Sequence, residues 1–299
     1  MGTLKIVTIG DSNTQAGAPI CPDAQNHGQV LANLLNTQFL GATGFTFINR
    51  GASWSATWNW VPNASAWGPG APSYNGVYLL QAALALKGDL YPAWLGTNGA
   101  GVQTKENYKS DLRQIVEAIL ANPINNPANH LNHSMPILIQ PPVAAPCNDA
   151  NPNGYALPAG VYPYGRKESG LIDMKTVVLE VGAEYNIPTV SLFDYQYAIW
   201  HSQTNTTTAS FLYDGVHDNA IGHGQLATLE KTALTPFLGS NGELTAPPVI
   251  IPVNPSNDSI QFYSGGAWHN CSVAVRENGG WYCQAETQSL CTQCMLLVR

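Results

Sequence analysis

The chain has 299 residues, of which 44% are hydrophobic, so it can form one large α/β domain with an appendage or two ordinary domains. Only 10% of its residues are charged and its net charge is −7, which argues against a nucleic-acid partner, because binding to phosphates needs clustered lysine and arginine. No apolar run approaches the roughly 20 residues that span a membrane. No signal peptide is visible at the N-terminus, and the location stays open, with an extracellular or virion-associated one favoured over the cytoplasm.

The first half of the chain alternates apolar runs of strand length with segments of helical periodicity. Residues 4–9 form a short apolar run that ends at Gly10, as in a buried parallel strand. Residues 28–39 repeat aliphatic side chains at helical spacing, which predicts an amphipathic helix. The next predicted elements are a strand at 45–49, a helix near 77–86 and a strand at 90–95.

The same alternation continues through the second half of the body. Its predicted elements are a helix at 107–120, a strand at 136–140, a helix at 171–185, a strand at 188–193 and a helix at 222–234. Residues 141–165 are rich in Pro, Gly, Asn and Tyr and predict a long surface loop, of the kind that forms lids or binding loops. Because strands and helices alternate at short spacing, we expect an α/β fold, a parallel sheet covered by helices on both faces.

The C-terminal part of the chain differs from the body in composition. Residues 244–257 are proline-rich and without helical periodicity, which predicts a stiff, extended linker. Residues 258–299 contain short aromatic and β-branched runs separated by Gly-Gly pairs, which are hairpin signals. We therefore predict three parts: a body at 1–243, the linker, and a small β domain that mediates homo-oligomerisation or anchoring.

Four of the six cysteines lie in this β domain, at Cys271, Cys283, Cys291 and Cys294. They have the number and arrangement for two disulfides, for buried free thiols or for a zinc site. The spacing between Cys271 and Cys283 is not a second Cys-x-x-Cys, which weakens the zinc interpretation.

Four short polar stretches follow predicted strands or precede the last helix. They are GDSN at 10–13, NRGAS at 49–53, LGTN at 95–98 and DGVH at 214–217. Because parallel α/β sheets place their ligands beyond the carboxyl ends of the strands, we expect these stretches to meet at one edge of the sheet. Taken alone, Ser12 is better explained as the N-cap of a helix, since Asp-Ser-Asn is good capping chemistry.

Together, in this order and at these spacings, the four stretches resemble those of the SGNH (GDSL-type) hydrolase family. The resemblance covers residues 4 to about 238, and the four letters of the family name correspond to Ser12, Gly51, Asn98 and His217. It implies a flavodoxin-like SGNH hydrolase fold for the body and a serine esterase activity that needs no cofactor and no metal. The substrate would be a small ester or an acetylated polysaccharide.

The resemblance also implies a role for each site residue. Ser12 would be the nucleophile, His217 the base that takes its proton, and Asp214 the carboxylate that orients the imidazole. The oxyanion hole would consist of the backbone N–H groups of Ser12 and Gly51 and the side chain of Asn98. Glycine suits that role because a residue without Cβ lets a substrate approach the backbone closely.

The sequence departs from the family pattern at two positions. Gly99 follows Asn98 where the family usually has aspartate, and we expect it to loosen the loop that orients Asn98. Asp218 follows His217 where proline is common. Neither departure replaces a catalytic atom.

Three residues near these stretches are candidate substrate contacts. Trp54 and Trp58 follow Gly51 and belong either to a packed aromatic cluster or to a substrate wall. Asp11 is the third candidate, although hydrogen bonds to its own turn would explain it equally well. The loops are rich in Asn, Thr, Gly, Trp and Tyr, which favours a carbohydrate O-acetyl ester as substrate. The alternatives are a short-chain lipid or aryl esterase, a thioesterase, or a non-catalytic carbohydrate-binding protein on the same fold.

Overall fold

Five parallel strands form the central sheet of the larger of two units, Met1–Leu244. They are β1 (Thr3–Gly10), β2 (Gly44–Gly51), β3 (Leu90–Trp94), β4 (Met135–Ile139) and β5 (Thr189–Val190), in the spatial order β2-β1-β3-β4-β5. The register pairs Gly10 of β1 with Gly51 of β2 and with Trp94 of β3. The carboxyl ends of these three strands therefore lie side by side, and the predicted parallel α/β fold is confirmed.

This computed structural model describes residues 2–61, 79–143, 168–202, 211–213 and 216–246, together with six short strands between 249 and 298. Its helices are α1 (Ser12–Gln15), α2 (His27–Gln38), α3 (Leu79–Leu84), α4 (Lys105–Leu120), α5 (Glu168–Tyr185), α6 (Leu192–Ser202) and α7 (Ala220–Leu234). Single 3-10 turns occur at Asp23–Gln25, Thr57–Asn59 and Thr235–Phe237.

Helices cover both faces of the sheet because the strands are apolar on both sides. In β1, Leu4 and Ile6 belong to the core that contains α2 and α7, whereas Val7 and Ile9 belong to the core that contains α3, α4 and α5. This division follows the two-residue period of a strand. The interior strands β3 and β4 are buried at every position, which explains their near-continuous apolar sequence.

A buried polar pair connects α2 to α7 inside the otherwise apolar layer. His27 Nδ1 lies 3.0 and 3.1 Å from the two carboxylate oxygens of Glu230, and both side chains are fully buried. The backbone N–H of His27 donates to Nδ1 of His223, which is also buried. Burial lowers the pKa of His223 well below its usual value, so this ring is neutral at pH 7.

The last part of the sheet differs from the sequence prediction. We expected a strand at 188–193, but β5 contains only Thr189 and Val190, and Leu192 begins α6. The sequence predicts one strand because the apolar run continues through Leu192 and Phe193. Both side chains are indeed buried, but they lie on α6 rather than in the sheet. Periodicity alone does not separate such a short run from a buried helix start.

The smaller unit, Thr245–Arg299, contains two antiparallel sheets of three strands among its described residues. One has the order β10-β9-β6 and consists of β6 (Val249–Ile251), β9 (Ala274–Glu277) and β10 (Gly280–Cys283). The other has the order β11-β7-β8 and consists of β7 (Ile260–Ser264), β8 (Ala267–Cys271) and β11 (Met295–Val298). Because β6 lies within 244–257, the predicted linker contains a strand that pairs with β9.

No helix in the described ranges is both long enough and apolar enough to cross a membrane. Cys21, in the larger unit, is a buried free thiol. The predictions on the cysteine side chains of the β domain lie outside the described residues.

Candidate active site

Ser12 stands at the point where β1 becomes α1. Asp11 is the N-cap of α1, and its Oδ1 accepts a hydrogen bond of 2.9 Å from the backbone N–H of Asn13. Asp11, Asn13 and Thr14 are fully buried, whereas Ser12 is partly exposed. The turn is thus fixed by buried neighbours while it presents one hydroxyl to the surface.

The Ser12 hydroxyl faces His217, which lies 205 residues further along the chain. Ser12 Oγ is 2.9 Å from His217 Nε2, a hydrogen-bond distance at which the imidazole can take the hydroxyl proton. The segment that carries His217 is closed by a 2.7 Å bond from the N–H of Tyr213 to the carbonyl of His217. Asp214, predicted as the orienting carboxylate, lies outside the described residues, so this part of the triad stays a prediction.

A second, buried bond runs beside the one between serine and histidine. The N–H of Asp218 donates to Oδ1 of Asn13 at 3.0 Å, and both residues are fully buried. Each partner is the chain neighbour of a site residue, so this bond fixes the distance between the two segments. Proline, which the family commonly has at position 218, carries no N–H and would not form it.

The Asp218 side chain is held in a dry environment. Burial raises its pKa to about 8, although the 2.7 Å hydrogen bond from Gln196 Nε2 acts in the opposite direction. The carboxyl is therefore neutral at pH 7 and adds no negative charge beside His217. Gln196 also accepts from the N–H of Val143, which connects α6 to the segment after β4.

Gly51, the second predicted oxyanion donor, is bonded and closely packed at the end of β2. Its N–H donates to Asn49 Oδ1 at 2.8 Å, so the group that we expected in the oxyanion hole is already bonded. A Cβ on Gly51 would lie 2.1 Å from the backbone nitrogen of Gln15. The space beside this glycine is therefore filled by α1 rather than left open for a substrate, and close packing of β2 on α1 is what requires glycine here.

Asn98 follows β3 and reaches the loop after β2. Its Nδ2 donates to the carbonyl of Ser55 at 2.9 Å, and Ser55 Oγ donates to the carbonyl of Gly10 at 3.1 Å. These bonds bring the ends of β1 and β3 and the loop after β2 together. We expected Gly99 to loosen this region, but its N–H bonds to the carbonyl of Gly96, and its own carbonyl accepts from Val102 and Gln103.

The three candidate substrate contacts lie in different environments. Trp54 is 59% exposed and has a φ of 65°. Trp58 is partly exposed, on the short helix Thr57–Asn59. Asp11 is fully buried and braces the Ser12 turn through its bond to Asn13, and its contact with a substrate stays a prediction. Trp60, in the same segment, is buried and donates to Ser55 Oγ at 3.0 Å.

A family model described as GDSL-like lipase/acylhydrolase matches residues 6–229 of the chain. This range contains the Ser12–His217 pair and every strand of the central sheet except the first residues of β1. The chain belongs to this family. As a GDSL hydrolase, it is an enzyme that acts on ester bonds.

Solved structures of similar fold include three that cover most of this GDSL hydrolase. A lipase/acylhydrolase from Enterococcus faecalis is 19% identical with a TM-score of 0.54, over 81% of this chain and 97% of its own. A carbohydrate acetylesterase from Sinorhizobium meliloti is 17% identical with a TM-score of 0.52, over 78% and 98%. A catalytic mutant of an acetylxylan esterase from Geobacillus stearothermophilus is also 17% identical with a TM-score of 0.52, over 78% and 95%. At these sequence identities, the similarity to the solved structures shows the fold alone. A search of curated proteins found no match to the chain.

Sequence reasoning missed two residues that position the site of this hydrolase. The first is Asn13, whose side chain accepts a hydrogen bond from the segment that carries His217. The second is Ser55, which bonds the end of β1, Trp60 and Asn98. Among the residues that the structure describes, no group of three or more His, Cys, Asp or Glu side chains is arranged to hold a metal ion.

Proposed function

We propose that this GDSL hydrolase is a serine esterase that removes O-acetyl groups from a carbohydrate, with Ser12 as nucleophile, His217 as base and Asp214 as the residue that orients His217. The main support for this mechanism is the 2.9 Å distance between Ser12 Oγ and His217 Nε2. A serine hydroxyl is a weak nucleophile until such a base takes its proton.

The reaction follows from that contact. Ser12 Oγ attacks the acyl carbon while His217 Nε2 takes the hydroxyl proton, and the carbonyl oxygen becomes an oxyanion. When the tetrahedral intermediate collapses, His217 gives the proton to the departing sugar oxygen and an acetyl ester on Ser12 remains. Water, deprotonated by His217, then attacks this ester, and a second collapse releases acetate and returns the proton to Ser12.

A cleft at the carboxyl end of β2 supports a polar alcohol as the leaving group. The cleft has a volume of about 420 Å³ and includes Gly51 and Gln15, the latter on the same short helix as Ser12. Its other polar side chains are those of Asp23, Asn49 and Arg50. Trp54, on the loop that continues from this cleft, exposes 59% of its surface, and an indole ring is a suitable platform for a sugar face. Two of the structurally similar proteins are described as a carbohydrate acetylesterase and an acetylxylan esterase.

The first test separates a serine esterase from a non-catalytic protein. The full-length protein should release p-nitrophenol from p-nitrophenyl acetate, and Ser12→Ala should reduce kcat to background. Ser53→Ala is a matched control, because this serine lies on a nearby loop and its described bond uses the backbone N–H. Equal hydrolysis by the protein and by Ser12→Ala would refute the mechanism.

The second test separates the proposed substrate from the alternatives. We expect kcat/KM to fall steadily along p-nitrophenyl acetate, butyrate and octanoate, and acetate to be released from acetylated xylo-oligosaccharides or another acetylated polysaccharide. A preference for octanoate would identify a lipid esterase instead. A preference for an acyl thioester over the matching oxygen ester would identify a thioesterase.

A further inference from the structure

The loop after β2 contains a strained turn. The N–H of Ser55 donates to the carbonyl of Ala52 at 3.1 Å, which closes a four-residue turn with Ser53 and Trp54 at its centre. Trp54, the third residue, has a φ of 65°. A positive φ at this position is typical of glycine or asparagine, and for a bulky side chain it is an outlier. Such strain is concentrated at functional sites, where the surrounding structure holds it in place.

Nearly every backbone donor in this loop is already used. Between residues 51 and 56, five N–H groups have partners: Gly51 donates to Asn49 Oδ1, Ala52 to Gly10 O, Ser53 to Gln15 Oε1, Ser55 to Ala52 O, and Ala56 to Asn59 Oδ1. The sixth N–H, that of Trp54, has no partner among the residues that the structure describes. Within this loop, the Trp54 N–H is therefore the backbone donor that a ligand can use without breaking a described bond.

Both ends of the turn are fixed to the elements that carry the site. Ala52 N–H and Ser55 Oγ donate to the carbonyl of Gly10, two residues before Ser12. The carbonyl of Ser55 accepts from Asn98, a predicted oxyanion donor. The Trp54 peptide thus lies in a short turn whose two ends are bonded to the segments that carry Ser12 and Asn98.

We propose that the backbone N–H of Trp54, not that of Gly51, donates to the oxyanion, together with the N–H of Ser12 and the side chain of Asn98. This assignment rests on the proposed serine esterase mechanism. The N–H of Ser12 likewise has no partner in the described residues, whereas that of Gly51 is bonded to Asn49. The positive φ of 65° then sets the orientation of the Trp54 peptide within the turn.

The direct test removes one backbone N–H at a time. Nonsense suppression with α-hydroxy acids replaces the N–H of residue 54 by an ester oxygen in the full-length protein, and the same change is made at Ser53 and at Gly51. At residue 54 we expect kcat for p-nitrophenyl acetate to fall by about 10²–10³-fold with little change in KM, the usual loss for one oxyanion donor. At Ser53, whose N–H bonds only Gln15 among described atoms, we expect less than a tenfold loss.

A large loss at Gly51 with near-normal turnover at residue 54 would overturn the proposal. Equal losses at all three positions would also overturn it, because they would show a general effect on the turn. If Ser12→Ala is as active as the unchanged protein, the proposed function fails; if Ser12→Ala is inactive while the ester at residue 54 keeps full turnover, only the Trp54 assignment fails.

A second measurement needs no altered backbone. In protein labelled with ¹⁵N-tryptophan, a phosphonate bound to Ser12 places an oxyanion-like oxygen in the hole. Among the backbone amides of the eight tryptophans, we expect that of Trp54 to show the largest downfield proton shift, with Trp54→Gly to assign its signal. A Trp54 amide signal that stays unchanged on phosphonylation would contradict the proposal.

Discussion

Replacement of Gly51 by alanine should damage both folding and turnover, because α1 occupies the space that the new methyl group needs. The added Cβ would lie 2.1 Å from Gln15 N and 2.6 Å from both Gln15 Cα and Thr14 C. All three are backbone atoms, so no side-chain rotation relieves the contact. To restore an ordinary 3.4 Å, β2 and α1 must separate by about 1.3 Å at this point.

The expected magnitude follows from this displacement. Forced overpacking costs about 1–3 kcal/mol, which for a unit of this size lowers Tm by about 2–12 °C. The same shift moves Ser12, at the start of α1, relative to His217, and a displacement of about 1 Å would stretch their 2.9 Å contact beyond hydrogen-bond distance. An error of about 1 Å in such a pair costs about 10²-fold in rate.

The assay is thermal unfolding together with kcat for p-nitrophenyl acetate. Gly224→Ala is the matched control, since a Cβ there meets nothing within 4 Å and Gly224 lies within α7. That change should stabilise the protein by about 0.5–1 kcal/mol. If Gly51→Ala keeps both the Tm and the kcat of the unchanged protein, the packing argument for Gly51 is wrong.

Three further predictions concern buried groups. Burial raises the pKa of the Asp218 carboxyl in the folded protein from 3.8 to about 8. Between about pH 4 and 8 the folded protein therefore holds a proton that the unfolded chain has lost. The free energy of unfolding of the wild type should fall across this range as pH rises, by up to about 1.4 kcal/mol per pH unit. In urea unfolding, the stability of Asp218→Asn relative to wild type should therefore rise from pH 5 to pH 8, and a constant difference would contradict the buried neutral carboxyl. Glu230→Ala leaves the buried His27 ring without its hydrogen-bond partner and should cost about 1–3 kcal/mol in the same assay. The absence of a measurable loss of stability would contradict this. Burial raises the pKa of the Cys21 thiol to about 11. Iodoacetamide at pH 8 should therefore label this thiol in urea but not in the folded protein, as measured by peptide mass spectrometry. Rapid labelling of the folded protein would contradict the burial of Cys21.

The fold was largely predictable because its strands carry a strong local signal. The runs that became β1, β3 and β4 are almost wholly apolar, and the order of strands and helices permits few arrangements other than a parallel sheet. The start of α6 was not predictable in the same way, since Leu192 and Phe193 continue the apolar run of β5 and are buried in either conformation.

The candidate site was likewise predictable only in part. That Ser12, Asn98 and the His217 segment lie at the carboxyl edge of the sheet follows from the parallel topology and the resemblance to the family. Which N–H groups remain free depends on side-chain bonds such as that of Asn49 to Gly51, and on a single φ angle at Trp54. Neither leaves a signal in the sequence, except that a tryptophan in a tight turn is unusual.

The most direct measurement of the central claim is the identity of the residue that becomes acylated or phosphorylated. Paraoxon should release one equivalent of p-nitrophenol per protein molecule, and peptide mass spectrometry should locate the diethylphosphoryl group on Ser12. His217→Ala should slow this labelling strongly, because the 2.9 Å partner that activates the hydroxyl is gone. A modified residue other than Ser12, or labelling of equal rate without His217, would contradict the account.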